Sequence, residues 1–157
     1  MNRLSVKDVM VDEVITVKPN TKVKDAVELM NKNEIGCLVV TRNRKPVGIM
    51  TERDILKKIV CQSKNPEKVR VSEIMSEPLV VGKDNMDLGD AARLMLKRNV
   101  KKLPIVDGEN LVGLITLTDI VRVDHIEHLL IKIIRQLRKN GWNPPKRMNK
   151  IVGLYIT

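Results

Sequence analysis

Two segments of this 157-residue chain share one pattern: a glycine, two apolar residues, a threonine and, three positions on, an aspartate. They are Gly48-Ile49-Met50-Thr51-Glu52-Arg53-Asp54 and Gly113-Leu114-Ile115-Thr116-Leu117-Thr118-Asp119. At a strand-to-helix junction a T-x-x-D segment caps the helix, because the hydroxyl accepts an N–H and the acid sits at the positive helix end. The same geometry suits a nucleotide. Free N–H groups at a helix start attract phosphate, the hydroxyl adds a hydrogen bond, and a carboxylate one turn in accepts both hydroxyls of a ribose. Lys101 and Lys102, directly before Leu103-Pro104-Ile105-Val106, stand where the first segment's neighbourhood has Gly36-Cys37. Two lysines in a helix-to-strand loop supply charge for the phosphates of a neighbouring ribose site, or simply form a solvated turn.

Other chemistry finds little support. The eight glycines never fall in a GxGxxG pattern, and no GK[ST], HExxH or GxSxG occurs. The two histidines, His125 and His128, lie outside both segments, so no Ser-His or Cys-His pair is expected, and a third metal ligand beside them is missing. Cys37 and Cys61 have no CxxC spacing and read as apolar fillers. The expectation is a binding protein without catalysis, resident metal or disulfide.

The elements that must position these residues follow from an internal repeat. At an offset of 65, residues 6–57 align without a gap on 71–122, with 15 of 52 positions identical, among them Val6/Val71, Met10/Met75, Gly48/Gly113, Thr51/Thr116 and Asp54/Asp119. Unrelated sequences of ordinary composition match at roughly one position in sixteen. Each copy reads as strand, helix, strand, turn, strand, helix. In the first, a strand over 14–17 precedes a helix carrying Val23, Ala26, Val27, Leu29 and Met30 to about residue 33. Strands over 37–40 and 47–50 then flank a polar turn at 42–45, and Thr51 opens a second helix. The second copy repeats this with strands over 79–81, 103–106 and 111–115 and helices over 88–98 and from 117. The expected fold class is α/β (α+β): two βαββα repeats packed sheet to sheet about a pseudo-twofold axis, with a ligand cleft between the halves. Residues 6–60 form the first repeat, 61–70 a polar linker, 71–123 the second repeat and 124–157 a basic extension.

Net charge is +10, and about half of it lies in that extension, with seven bases against two acids. Within it Ile126, Leu129, Leu130, Ile133, Ile134 and Leu137 mark an amphipathic helix that ends near Asn140-Gly141, and residues 151–157 read as a strand. Its bases, Lys132, Arg135, Arg138 and Lys139, are a solvated face over a capping helix or a contact surface for nucleic acid or an acidic effector protein. The repeats contain no aromatic residue, which argues against single-strand nucleic-acid stacking and leaves duplex backbone contact open. No apolar run approaches the ~20 residues of a membrane span, and the start MNRLSVKDVM has no signal-peptide core, so a cytoplasmic location without membrane contact is expected.

The paired GhhTxxD segments, the VKDVM lead-in and the NVKKLPIVD strand together resemble a tandem pair of CBS domains, the regulatory module named after cystathionine beta-synthase. The resemblance spans roughly 6–123. It implies a non-catalytic homodimeric sensor of an adenine nucleotide, AMP foremost, with ATP or S-adenosylmethionine as alternatives. By position it implies that Asp54 and Asp119 hold ribose hydroxyls and that Thr51 and Thr116 lie beside ribose or phosphate. Ile15, Thr16, Gly36, Cys37 and Leu38 would frame an adenine in the first site, and Val80, Val81, Lys102, Leu103 and Pro104 would do so in the second. Lys101 and Lys102 resemble the family's basic pair against phosphates of the neighbouring site, so the Asp54 site is expected to be the better binder. An interaction module, with both T-x-x-D segments serving only as caps and no small-molecule ligand, is the competing class.

Overall fold

The computed structural model describes residues 4–123 and 127–144. The first repeat runs β1 (Thr16–Val17), α1 (Val23–Lys32), β2 (Cys37–Arg42), β3 (Lys45–Thr51) and α2 (Glu52–Ile55), which continues as a π-turn over Leu56–Val60. After α3 (Val71–Ile74), the second runs β4 (Gly82–Lys83), α4 (Leu88–Arg98), β5 (Lys102–Asp107), β6 (Asn110–Thr116) and α5 (Leu117–Val121). Two three-stranded sheets result, ordered β1-β2-β3 and β4-β5-β6, each with a parallel first pair. The βαββα string read from the sequence is present twice.

Local chemistry explains the element ends. Helix α1 buries Val23, Ala26 and Met30 at helical spacing. It closes with Ile35 N–H on the Met30 carbonyl at 3.1 Å and Glu34 N–H on that of Asn31 at 3.2 Å. Helix α4 ends in the same way, Val100 N–H to Met95 and Asn99 N–H to Leu96. The two equivalent residues Glu34 and Asn99 take the left-handed φ values of 52° and 55° that this terminus requires. The β2–β3 hairpin turns on Asn43 and Arg44, whose φ values of 51° and 66° match a two-residue primed turn between Arg42 and its partner Lys45.

All six strands differ from their expected ranges. β2, β3, β5 and β6 run one to three residues past 37–40, 47–50, 103–106 and 111–115, with Arg42 and Lys45 of the expected turn paired across the hairpin, whereas β1 is shortened and β4 displaced. β1 is only Thr16–Val17 rather than 14–17, because an edge strand is held on one side alone. β4 is Gly82–Lys83 rather than 79–81. Its neighbour β5 carries Pro104, which has no N–H to donate, and the ladder starts one residue further on, at Gly82 opposite Ile105. Cys37 is buried as expected, but Cys61 is exposed beyond the π-turn, where Ile59 supplies the apolar contact to the core.

The repeats of the sequence and the packed units of the structure divide the chain differently. One unit contains residues 13–79 and 107–111; the other contains 4–12, 80–106 and the described residues from 112 onward. Each repeat's lead-in therefore belongs to the body of the other repeat. Val71 and Ile74 of α3 sit in the core with Val23, Leu38 and Met50, whereas Val6 sits with Leu88, Met95 and Ile105. Val6 belongs to a single 3₁₀ turn, whose Asp8 carboxylate accepts the Ser5 N–H and hydroxyl, both at 2.8 Å. Those bonds hold Asp8 below the usual carboxylate range. The stretch 61–70 is bonded into the first unit too: Val69 is buried, and its carbonyl accepts the Val23 N–H at 2.9 Å. Residues 107–111 join that unit through a Lys45–Glu109 ion pair and a Leu111 N–H bond to the Arg44 carbonyl.

Beyond the repeats, α6 (Glu127–Lys139) buries Ile133, Ile134 and Leu137 in the core that holds Leu96 of α4, and exposes Lys132, Arg135, Arg138 and Lys139. It ends on Gly141 at φ 81°, with Trp142 N–H on the Leu137 carbonyl and Gly141 N–H on that of Arg138, both at 3.0 Å. The strand expected over 151–157, together with His125 and Tyr155, lies outside the described residues. No described helix is long and apolar enough to cross a membrane.

The lead-ins rest on glycines. A Cβ on Gly48 or Gly113 would come under 3.0 Å of the sulfur of Met75 or Met10 respectively. Gly48→Ala is expected to lower stability by about 1–3 kcal/mol through overpacking, and Met75→Ala to relieve part of that loss. Urea unfolding of the two single variants and the double would read this as non-additivity; strictly additive losses would contradict the contact.

Candidate functional site

In the first unit, pairing of β2 with β3 sets Cys37 opposite Thr51 and Leu38 opposite Met50, and β1 lies beside them with Thr16 opposite Val39. This register brings Ile15, Thr16, Gly36, Cys37, Leu38 and Thr51 to one end of the sheet. The Gly36 carbonyl accepts the Glu52 N–H at 3.1 Å, which ties the loop before β2 to the start of α2. The T-x-x-D segment closes a capping box: Asp54 N–H donates to Thr51 Oγ1 at 3.3 Å, and Asp54 Oδ2 accepts the Thr51 N–H at 2.9 Å and its hydroxyl at 3.0 Å.

The second unit repeats this local chemistry. The Lys101 carbonyl accepts the Leu117 N–H at 2.9 Å. Asp119 Oδ2 accepts the Thr116 N–H at 2.9 Å and hydroxyl at 2.7 Å, and Asp119 N–H returns to Thr116 Oγ1 at 3.1 Å. Lys102, Leu103 and Pro104 open β5, and Val80 and Val81 lie just before β4. The capping role read from the sequence is thus present at both sites. It also consumes the first and third N–H donors of each helix, so these starts are less open to phosphate than the sequence suggested.

The two carboxylates differ in their second oxygen. Asp54 Oδ1 accepts the Ser76 hydroxyl at 3.2 Å and pairs with Lys58 Nζ at 3.1 Å, while Lys58 also donates to the Ile74 carbonyl at 2.6 Å. Asp54 is the buried charged residue among those described, at 8% exposure. Asp119 is half-buried, and its Oδ1 has no partner among the described residues. The position equivalent to Ser76 is Val11, whose backbone makes the same bridge, to Leu114, but whose side chain has no donor. The position equivalent to Lys58 is Val123, beyond the end of α5. Sequence reasoning passed over Ser76 and Lys58. Lys58 was within reach as the i+4 neighbour of Asp54, whereas Ser76, 22 residues away, left no local signal.

The CBS-domain family profile matches residues 6–61 and 71–126. The CBS domain-containing protein YhcV of Bacillus subtilis is 40% identical over 116 residues, covering 74% of this chain and 82% of that protein. A solved CBS-domain protein of unknown function from Thermoplasma acidophilum superposes with a TM-score of 0.74 at 30% identity, over 87% of this chain and 78% of that one. A hexameric CBS-CP12 protein from bloom-forming cyanobacteria also gives 0.74, at 28% identity, over 95% of this chain and 89% of that one.

Because both caps are made by threonine, Thr51→Ala is expected to cost about 1 kcal/mol of stability and Thr51→Ser to restore most of it. Chemical denaturation checks this; an alanine variant as stable as the parent would remove the cap from the account.

Proposed function

The chain belongs to the CBS-domain family as a tandem pair, and from that premise we propose that it is a cytoplasmic, non-catalytic regulatory module that binds an adenosine ligand, AMP foremost. The observation that carries the reading is a ribose-type acceptor: a half-buried aspartate, Asp119, oriented by Thr116 and with one carboxylate oxygen uncommitted among the described residues. Such an oxygen accepts hydroxyl hydrogens, and a vicinal diol presents two of them. The backbone of Lys101 is bonded to the first residue of the same helix, and Lys102 follows it into β5. We assign this pair to the phosphate of the ligand, where cations strengthen hydrogen bonding. ATP and S-adenosylmethionine share the ribose and differ in what they ask of the lysines.

A signal must also leave the module. The outward face of α6 exposes Lys132, Arg135, Arg138 and Lys139, which supports a second reading in which this face meets an acidic effector protein or a nucleic-acid backbone. Regulation then requires the partner to bind the liganded and free states with different affinity. Self-association as a homodimer belongs to the same proposal. Leu56 and Val60, one turn apart on the segment after α2, are 58% and 60% exposed, an apolar pair that a second copy would cover.

Calorimetric titration of nucleotide-free protein with AMP, ATP and S-adenosylmethionine tests the ligand. Saturable AMP binding that weakens in Lys102→Ala is the expected result; binding of none of the three would leave the interaction reading. For the assembly, light scattering on Leu56→Glu/Val60→Glu is expected to show monomer where the parent shows dimer. A parent that is already monomeric would refute the self-association.

A further inference from the structure

Asp54 and Asp119 occupy equivalent positions, head the same capping box and would be assigned the same task from sequence. Resting on the adenosine-ligand reading above, we propose that they have parted in function: Asp54 is an internal clamp, and Asp119 is the carboxylate that takes the ligand's diol. The two carboxylates differ in how many of their acceptor positions are filled. An ionised carboxylate has about four lone-pair positions, two on each oxygen. In both residues the cap fills the pair on Oδ2, with the N–H and hydroxyl of the preceding threonine. At Asp54 the pair on Oδ1 is filled as well, by the Ser76 hydroxyl and the Lys58 ammonium. At Asp119 the pair on Oδ1 is open among the described residues.

A ribose arriving at Asp54 would have to displace both donors. Lys58 would lose its carboxylate while its Nζ stays bound to the Ile74 carbonyl, in a pair whose side chains are 30% and 11% exposed. Removing one partner of a partly buried ion pair is costly because the other is left uncompensated. The gain to the protein is local. Asp54, Ser76, Lys58 and Ile74 form one network that fastens the end of α3 to the start of α2. Among the described residues the second unit has no such network at Asp119, because Val11 offers no hydroxyl and Val123 no ammonium. This reverses the order of the two sites expected from Lys101 and Lys102 alone.

The test is calorimetric titration with AMP alongside thermal melting, on Asp119→Ala, Asp54→Ala, Val11→Ser and the double variant Ser76→Val/Lys58→Met. Asp119→Ala is expected to lower AMP affinity by about tenfold or more, the loss of hydrogen bonds to a charged acceptor, and by more than Asp54→Ala does. Asp54→Ala is expected to melt lower than Asp119→Ala. Val11→Ser places a hydroxyl beside Asp119 and is expected to weaken AMP. Ser76→Val/Lys58→Met frees the Asp54 oxygen without touching the cap, and is expected to raise the AMP stoichiometry per chain; it serves also if Asp54→Ala does not fold. An Asp54→Ala loss equal to or larger than that of Asp119→Ala, or an unchanged stoichiometry in the double variant, would overturn the division of roles. Wild-type protein that binds none of AMP, ATP or S-adenosylmethionine would overturn the adenosine reading instead. The clamp would then stand or fall on the melting order alone, and equal melting shifts would end it.

Discussion

The structure depends on a close approach between each lead-in segment and a glycine in the last strand of a sheet. Met75 lies over Gly48 and Met10 over Gly113, where any β-carbon would meet the methionine sulfur. Beside these contacts the backbone adds two hydrogen bonds each, between Ile49 and Ser76 and between Val11 and Leu114. The outer strand of each three-stranded sheet thereby acquires a partner on its open side, which limits the exposed strand edge. It also sets the division of the chain, since the lead-in that covers a sheet comes from the opposite repeat in sequence. The glycine of GhhTxxD is therefore needed for packing before any question of ligand arises.

The same contact shapes the chemistry. By holding the residue after Met75 against β3, it delivers the Ser76 hydroxyl to Asp54; by holding the residue after Met10 against β6, it delivers only a valine to Asp119. Helix continuation makes the second difference. The π-turn over Leu56–Val60 carries Lys58 round to Asp54, whereas α5 stops at Val121 and leaves position 123 off the helix. Two carboxylates with equal motifs thus meet unequal surroundings. The motif specifies the cap, which is local, and leaves the second carboxylate oxygen to whatever the fold brings near it.

The basic helix illustrates how charge and packing share one element. Its apolar stripe joins the core that also contains Leu117 and Ile120 of α5, so the segment bearing Asp119 and the helix bearing the exposed bases are packed through a single cluster. Exposed lysines and arginines on the opposite face stay hydrated at little cost and raise the local positive potential.

The sequence by itself determined the repeat, the order of its elements, both capping boxes and the extent of α4, because each depends on interactions between residues close in the chain. Periodicity placed Val23, Ala26 and Met30 inside, and T-x-x-D placed a cap wherever a strand met a helix. Strand limits were less legible, since β4 depends on Pro104 in a strand more than twenty residues away. Burial of Cys61 could not be judged for a similar reason: composition says a cysteine is usually inside, but the turn after Val60 leaves it outside. Only the tertiary structure decided which lead-in covers which sheet and what surrounds each aspartate. Those are contacts between residues distant in sequence, selected by which glycine a methionine can approach and which hydroxyl then falls within hydrogen-bonding distance, and no local pattern encodes them.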